Sequence, residues 1–513
     1  MSKSYADMAT KNVISSVIQS TLNVIITLLS RIVFVYVLNE SYLGISGLFS
    51  NILSILSVAD LGMSTVMMFR LYQPIAENNI RKIQQLVALF KKMYLCIAFA
   101  VLALGLAIMP FLENIINLEE KIPFLYGYYV LALLNVFISY LFVYRTTLVM
   151  ADQKNYLLNR CSNIFKIITF VLQTIILITF KQYFLYLLVA LFTSLMCNFW
   201  QNKIALQLYP YLKEPVEILP LEDKKSIFTD IKAMFLYRIA GVIQSNTDSI
   251  LTSIFVGTVY VGYYSNYLLI STAIVNILTL VFNNLKASIG NMLADKYMEK
   301  ENKQLLFWNM EFVNYWLVAF FSIVFVMLSS DFICICFGKT YELPLVIVIL
   351  MVFNFYTSNI RQTIWAFRET TGLFHQTRYI TLITAVINLF LSIIMGYFWG
   401  MAGIILATVI ARLIYAWWKE PQILFANYFY TSAACYYKKY IKRLCLCVTI
   451  CWVTYFVCSF ISVQNIYLRF IIKTGICCIL PNLIWLSVYY KTEEFKYFYN
   501  KIIKRIMKKR SRL

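Results

Sequence analysis

Lys91-Lys-Met-Tyr-Leu-Cys-Ile-Ala-Phe-Ala-Val-Leu-Ala-Leu-Gly-Leu-Ala-Ile-Met-Pro-Phe-Leu112 opens on two lysines and continues for twenty residues without a charge. About twenty apolar residues in a helix cross the ~30 Å hydrocarbon core of a bilayer. The stretch reads as a membrane span with a basic end. Working outward, the same unit recurs at 13–38, 43–72, 124–150, 157–180, 183–206, 232–257, 262–290, 309–337, 343–367, 379–399, 401–427, 444–462 and 466–490. With 93–112 this makes about fourteen transmembrane helices. The expected fold class is all-α and polytopic.

Composition agrees. Of 513 residues, 61% are hydrophobic and 13% are charged, and the mean hydropathy is +0.72. Soluble domains are nearer half apolar and a quarter charged. The net charge of +21 does not point to nucleic acid, because the cations edge apolar runs instead of forming a patch on a soluble fold. Assigning alternate loops to opposite sides puts 28 Lys and Arg on one side and only Lys121, Lys181 and Lys339 on the other. Cytoplasmic loops collect Lys and Arg. Both termini are therefore expected in the cytoplasm, with an even number of spans. The N-terminal run is too long for a signal-peptide core.

The outer loops are about ten residues or fewer, which leaves no room for an extracellular catalytic domain. His375, read as a loop residue, is the only histidine, which argues against a hydrolase triad or a histidine-bound metal. The twelve cysteines lie mostly within apolar runs and lack zinc spacing. No catalytic residue, metal site or cofactor is expected.

The longest inner connection, 207–231, carries three prolines and five acids and reads as a linker. The expected organisation is an N-terminal lobe 1–206, the linker, a C-terminal lobe 232–427, an appended pair of spans within 428–490 and a basic tail 491–513. Six spans in each lobe start both lobes from the same side, as in a parallel repeat. Two short echoes join the halves. Tyr42-Leu-Gly44 matches Tyr260-Val-Gly262 at an offset of 218, and Val17-Ile-Gln-Ser20 matches Val242-Ile-Gln-Ser245 at 225. In the tail, Phe495, Phe498, Ile502, Ile503 and Ile506 recur at helical spacing between cations. This predicts an interfacial helix on the anionic inner leaflet.

Within the spans, 14 basic residues outnumber 5 acids. A charge at mid-bilayer costs ~3 kcal/mol, so such residues face water or a partner unless they reach the interface. The deeper ones are Arg31, Asp60, Arg238, Asp248, Arg361 and Arg412, with Arg145 and Lys166 nearer the cytoplasmic face. Pairing of Asp60 with Arg31 and of Asp248 with Arg238 would still leave cations over. Surplus arginine suits an anionic ligand, because the planar guanidinium grips phosphate with two parallel hydrogen bonds. The expected cavity set is Arg31, Asp60, Arg145, Arg238, Asp248, Arg361 and Arg412.

Tyr42-Leu-Gly-Ile-Ser-Gly-Leu-Phe49, Val58-Ala-Asp-Leu-Gly62, Phe69-Arg-Leu-Tyr72-Gln-Pro74, Asn246-Thr-Asp248-Ser and Val261-Gly-Tyr-Tyr-Ser-Asn-Tyr267 carry a family likeness. With the six-plus-six-plus-two layout, the chain resembles the Wzx-type polysaccharide flippases of the superfamily that includes MATE exporters. The resemblance runs through residues 12–430. It implies a carrier in the bacterial cytoplasmic membrane that flips a polyprenyl-pyrophosphate-linked oligosaccharide by alternating access. The product would be a surface polysaccharide such as lipopolysaccharide, and the partners membrane lipids, glycosyltransferases and a polymerase. A coupling ion, H+ or Na+, is compatible with it. The alternatives are a cation-coupled multidrug exporter, which needs more buried acids, and a membrane-embedded sugar polymerase, which needs an acid/base pair or a large outer loop.

Overall fold

The computed structural model describes residues 2–57, 63–117, 122–214, 219–294, 300–371 and 373–498. These residues are all-helical. The first half comprises α1 (Ser2–Val37), α2 (Glu40–Leu56), α3 (Met63–Ala76), α4 (Ile80–Ile108), α5 (Leu112–Ile115), α6 (Leu125–Tyr140), α7 (Val143–Ala151), α8 (Asn155–Phe180) and α9 (Tyr183–Leu208). Next come α10 (Leu221–Phe255), α11 (Thr258–Ala294), α12 (Lys300–Phe337), α13 (Leu345–Asn359), α14 (Gln362–Thr370) and α15 (Phe374–Ala411). The chain then runs through α16 (Trp417–Leu424), α17 (Ala434–Ser459), α18 (Ile466–Tyr489) and α19 (Glu493–Phe498).

Over its described residues each of the fourteen expected spans is built mainly of helix, and the chain is a multi-pass integral membrane protein. Among the described residues nine segments are long and apolar enough to cross a membrane, and the bent pair α6/α7 makes a tenth. One of the nine, Tyr379–Phe429, has 51 residues and holds two expected spans. They are separated at Gly400, whose φ of +57° belongs to a backbone region that side-chain-bearing residues rarely adopt. His375 lies in the first turn of α15, not in a loop.

The element boundaries repeat along the chain. α1 ends at Val37 and α10 at Phe255; α2 starts at Glu40 and α11 at Thr258; α4 starts at Ile80 and α12 at Lys300. The broken pair α6/α7 recurs as α13/α14, and α8 recurs as α15, at shifts of 219 to 220. The shift is 218 to 220 throughout, so the Tyr42/Tyr260 echo is in register. The Val17/Val242 echo is not.

The chain divides into two compact units, Met1–Tyr263 and Tyr264–Leu513. In the first unit one set of ends is tied together by polar contacts. Lys82 meets Asp223 at 2.5 Å, Arg70 donates to Ser226 at 2.6 Å, and Gln84 donates to the Tyr211 carbonyl at 2.6 Å. Tyr209 donates to Asp152 at 2.7 Å, and Asn12 donates to the Gln153 carbonyl. The N-terminus, the α3–α4 turn, the α7–α8 turn and the linker thus lie on one side, as the even span count requires. At the other ends the α10–α11 turn meets segment 115–117, through Thr258 N–H to the Asn117 carbonyl (2.9 Å) and Ser253 Oγ to the Ile115 carbonyl (2.7 Å). There the two echo glycines touch. A Cβ on Gly262 would sit 2.9 Å from Gly44 N, and one on Gly44 would collide with the Thr258 carbonyl. Only hydrogen in place of a side chain lets α2 and α11 approach this closely.

The second unit is built around α12, which packs against α13, α14, α17, α18 and α19. One end is an aromatic cluster of Phe307, Trp308, Phe367, Phe425, Phe429 and Tyr436, with edge-to-face rings around Phe307. The other end ties α18 to α12, where Asp331 receives Arg469 and Lys473, each at 2.7 Å.

The tail starts differently from the expected membrane-surface helix. α19 docks on the protein. Phe495 stacks on Trp316 at 6.0 Å, and Lys439 bonds Glu494 at 3.0 Å. An aromatic partner and a neighbouring ammonium capture the turn that was assigned to lipid. Residues 499–513 lie outside the described residues. Burial alone would raise the Glu494 carboxyl, but its own backbone N–H and the Lys439 hydrogen bond and charge outweigh it and hold the group below the ordinary value of 4.5. A depressed carboxylate stabilises docking above the unfolded value and loses that contribution as pH falls through the folded one. Docking of α19 is therefore expected to persist at neutral pH and to loosen as pH falls through the lowered carboxyl value. Glu494→Gln should loosen it at neutral pH by up to ~1 kcal/mol, since the pair is partly exposed. Protease sensitivity of the 490–498 segment measures both effects; equal sensitivity of variant and parent would refute the docking role.

Candidate functional site

The first unit encloses a polar pocket at membrane depth. It has a volume of about 610 Å³ and is lined from α1, α2, α6, α8 and α9. Among the described residues two cations line it, Arg31 from α1 and Lys166 from α8, and no acid does. Eleven hydroxyl or amide side chains share the wall: Thr27, Ser30, Ser46, Asn135, Ser162, Thr169, Gln173, Tyr186, Thr193, Ser194 and Asn198. Lys166 donates to Asn23 at 2.5 Å, and Thr169 to Thr193 at 2.8 Å. Tyr186 faces the same volume and stacks on Tyr183 at 6.0 Å. Polar side chains at this depth come at a cost in lipid, so their convergence on one volume marks a wet or ligand-bearing site.

Two spans are broken at matching positions. α6 and α7 meet at a 45° bend over 141–142, and α13 and α14 are interrupted at Ile360–Arg361. Interrupted helices in corresponding halves point to binding regions in transporters. Each break carries an arginine. Arg145, in the first turn of α7, bonds the side-chain oxygen of Asn202 and lies 5.3 Å from the Tyr144 ring. Arg361 meets Glu420 at 2.8 Å with the two side chains 8% and 2% exposed, and it lies over Trp365 at 5.0 Å. Glu420 also accepts from Trp365 at 3.0 Å and faces Arg368 at 3.6 Å.

Arg412 opens a π-helical segment, Arg412–Ala416. Its guanidinium donates to the Asn354 carbonyl at 3.1 Å, to Asn354 Oδ1 at 2.9 Å and to Thr357 at 2.8 Å. A second π segment, Phe425–Phe429, follows α16 and its internal Pro421. Such wide turns recur where helices serve a function.

Of the expected cavity residues, then, Arg31 lines the pocket. Arg145 is held between α7 and α9. Arg361 and Arg412 are held in polar contacts inside the second unit. Asp248 is buried in α10, its carbonyl accepting from Thr252. Arg238 lies on α10. Asp60 lies outside the described residues. Sequence reasoning placed Lys166 at the margin of the set and did not single out Asn135, Ser194 or Asn202. Glu420 is one of the five acids counted within the spans, and Arg443 is one of the 28 cations assigned to the basic side of the loops. Arg443 is inside α17, buried in an ion pair with Glu311. A separate groove of about 440 Å³ along α12, α13 and α17 is almost wholly apolar, with Ile323, Val326, Val448 and Trp452 in its wall.

No protein-family model matches the chain, and no curated protein matches it in sequence. Solved structures do match in fold. Lipid II flippase MurJ in an inward closed conformation superposes with a TM-score of 0.65, covering 93% of this chain and 98% of that one at 14% identity. The Vibrio cholerae MATE transporter VcmN gives 0.56, with 83% and 99% covered at 12% identity. A MOP superfamily transporter from Pyrococcus furiosus, described as having a binding pocket of reverse polarity, gives 0.52, with 82% and 96% covered at 13% identity. The chain has the MurJ and MATE fold. On this fold the pocket of the first unit and the two broken spans belong to a scaffold whose matched relatives are transporters, not enzymes.

Proposed function

We propose that the protein flips a polyprenyl-pyrophosphate-linked oligosaccharide across the bacterial cytoplasmic membrane for surface polysaccharide assembly, by alternating access. The observation that carries this reading is the pocket at Arg31 and Lys166. It offers cations for an oxyanion and eleven neutral hydrogen-bonding side chains for hydroxyls, with no acid in its wall among the described residues. A cation-coupled drug exporter needs the opposite charge at its drug site. The full-length likeness to a lipid-linked precursor flippase supports the same reading. The lobes would be 1–206 and 232–427, joined by the linker 207–231, with 428–490 as an appended pair. Glycosyltransferases and a polymerase would act before and after transport.

The deciding experiment reconstitutes the purified protein in liposomes with a fluorescent polyprenyl-pyrophosphate oligosaccharide. The expected result is protein-dependent exposure of the glycan to a membrane-impermeant lectin or oxidant. Export of cationic dyes with no glycan exposure would overturn the proposal.

Orientation follows from the charge asymmetry. Cysteines placed at Lys91, Lys224 and Lys439 are expected to react with an impermeant maleimide only after the membrane is opened. Those at Lys181 and Lys339 are expected to react in intact cells. Outside labelling at Lys224 would sink both the orientation and the two-lobe division.

A further inference from the structure

Four polar side chains of the second unit are buried in one neighbourhood with their hydrogen-bonding atoms unmatched among the described residues. They are Tyr356 on α13, Trp417 on α16, and Tyr436 and Tyr440 on α17, each at most 5% exposed. Tyr440 stands in the middle. Its ring lies 4.8 Å from Trp417, 6.3 Å from Tyr356 and 6.4 Å from Tyr436, centroid to centroid. The Trp417 N–H comes beside the Tyr440 oxygen, outside hydrogen-bond geometry. A buried donor without an acceptor costs free energy, and here three hydroxyls and an indole N–H would incur that cost together. Positive groups surround the cluster. Arg412 donates to Asn354 and Thr357, on either side of Tyr356, and opens the π segment that leads into Trp417. Arg361 meets Glu420, one turn beyond Trp417. That carboxylate serves Arg361, Trp365 and Arg368, and none of the four.

We propose that Tyr356, Trp417, Tyr436 and Tyr440 seat one small monovalent anion of the halide class, and that this ion braces α13, α16 and α17 against one another. What the four side chains lack is an acceptor. A halide only accepts, takes several O–H and N–H donors at once, and gains from nearby guanidinium groups in a low dielectric. A water molecule also accepts, but it brings two hydrogens that need acceptors of their own and gains less from the positive potential. A larger oxyanion fits worse. The Arg361 fork is already turned to Glu420, and the four side chains are closed off from the surface. The seat lies within the second unit and is independent of the flippase reading.

The test uses the full-length protein in lipid nanodiscs, exchanged into sodium gluconate and titrated with sodium chloride, bromide or sulfate at constant ionic strength. Melting is followed by intrinsic fluorescence. Chloride and bromide are each expected to raise the melting temperature saturably, and sulfate is not. Tyr440→Phe and Tyr356→Phe each remove one hydroxyl and keep the ring. Each is expected to raise the half-saturating chloride concentration at least tenfold, the loss of one hydrogen bond to a charged acceptor. Tyr455→Phe, at an exposed position of the same helix as Tyr440, is expected to respond to chloride like the parent. The sign of the effect separates the seat from hydroxyls that merely lack a partner, because removing such a hydroxyl stabilises the protein in every salt. Equal gains of Tyr440→Phe and Tyr356→Phe in chloride and in gluconate would therefore overturn the proposal. So would a parent melting temperature indifferent to the exchange of gluconate for chloride, an unchanged chloride response in both variants, or a sulfate response equal to that of chloride. If neither variant folds, crystals of the parent grown in bromide decide the matter. An anomalous peak enclosed by the four side chains is expected, and its absence would overturn the proposal.

Discussion

Glu420→Ala is expected to lower folding stability by about 3–5 kcal/mol, the range for removing one partner of a buried ion pair. Glu420 is 3% exposed and serves Arg361, Arg368 and the Trp365 indole together. Alanine would leave two guanidinium groups and an N–H in low dielectric with no acid between them. The break at Ile360–Arg361 depends on this contact, because it ties the start of α14 to α16. The measurement is melting temperature and monodisperse yield in detergent. Arg361→Met combined with Glu420→Ala should recover part of the loss, since the stranded charge goes with its partner. A melting temperature within a degree or two of the parent in the single variant would show that the pair does not hold the unit together. The first half offers a neutral parallel: Arg145, next to its own break, meets an amide, Asn202. Glu420→Gln should accordingly be milder than alanine.

Arg31→Gln is expected to reduce flipping at least tenfold while leaving the fold intact. A hydrogen bond from a charged donor contributes about 1.5–3 kcal/mol, or roughly ten- to a hundredfold in binding. Arg31→Lys keeps the charge and loses the fork, so it should fall between glutamine and the parent. Lys166→Gln in the Arg31→Gln background should remove most of the remaining activity, as it leaves the pocket without a cation. Initial flipping rates in liposomes, normalised to folded protein, give the comparison. Parent rates in the double variant would separate transport from this pocket altogether.

The spans were legible in the sequence because each must be apolar over one bilayer thickness, which is a local requirement. The breaks at 141–142 and 360–361 were not legible. Ser139-Tyr-Leu-Phe142 and Ser358-Asn-Ile-Arg361 contain neither Pro nor Gly, the usual signals of a kink. The repeat showed only as two short echoes at conflicting offsets, and the element boundaries chose between them. Arg443 looked like a loop cation because it follows Lys438, Lys439 and Lys442. Its partner Glu311 lies on another helix.

What the sequence by itself determined is the all-α membrane architecture, the alternation of sides and the excess of cations at membrane depth. Hydrophobic length and loop charge act residue by residue against lipid and water, so no neighbour is needed to read them. What only the tertiary structure decided is the fate of each charge. Arg361 is paired with an acid 59 positions away and Asp331 with Lys473 at 142, while Arg412 donates to an amide and a hydroxyl more than 50 away. The energy of a buried charge is set by the few groups within about 4 Å of it. In a helical membrane protein those groups come from other spans, and only the packing brings them together.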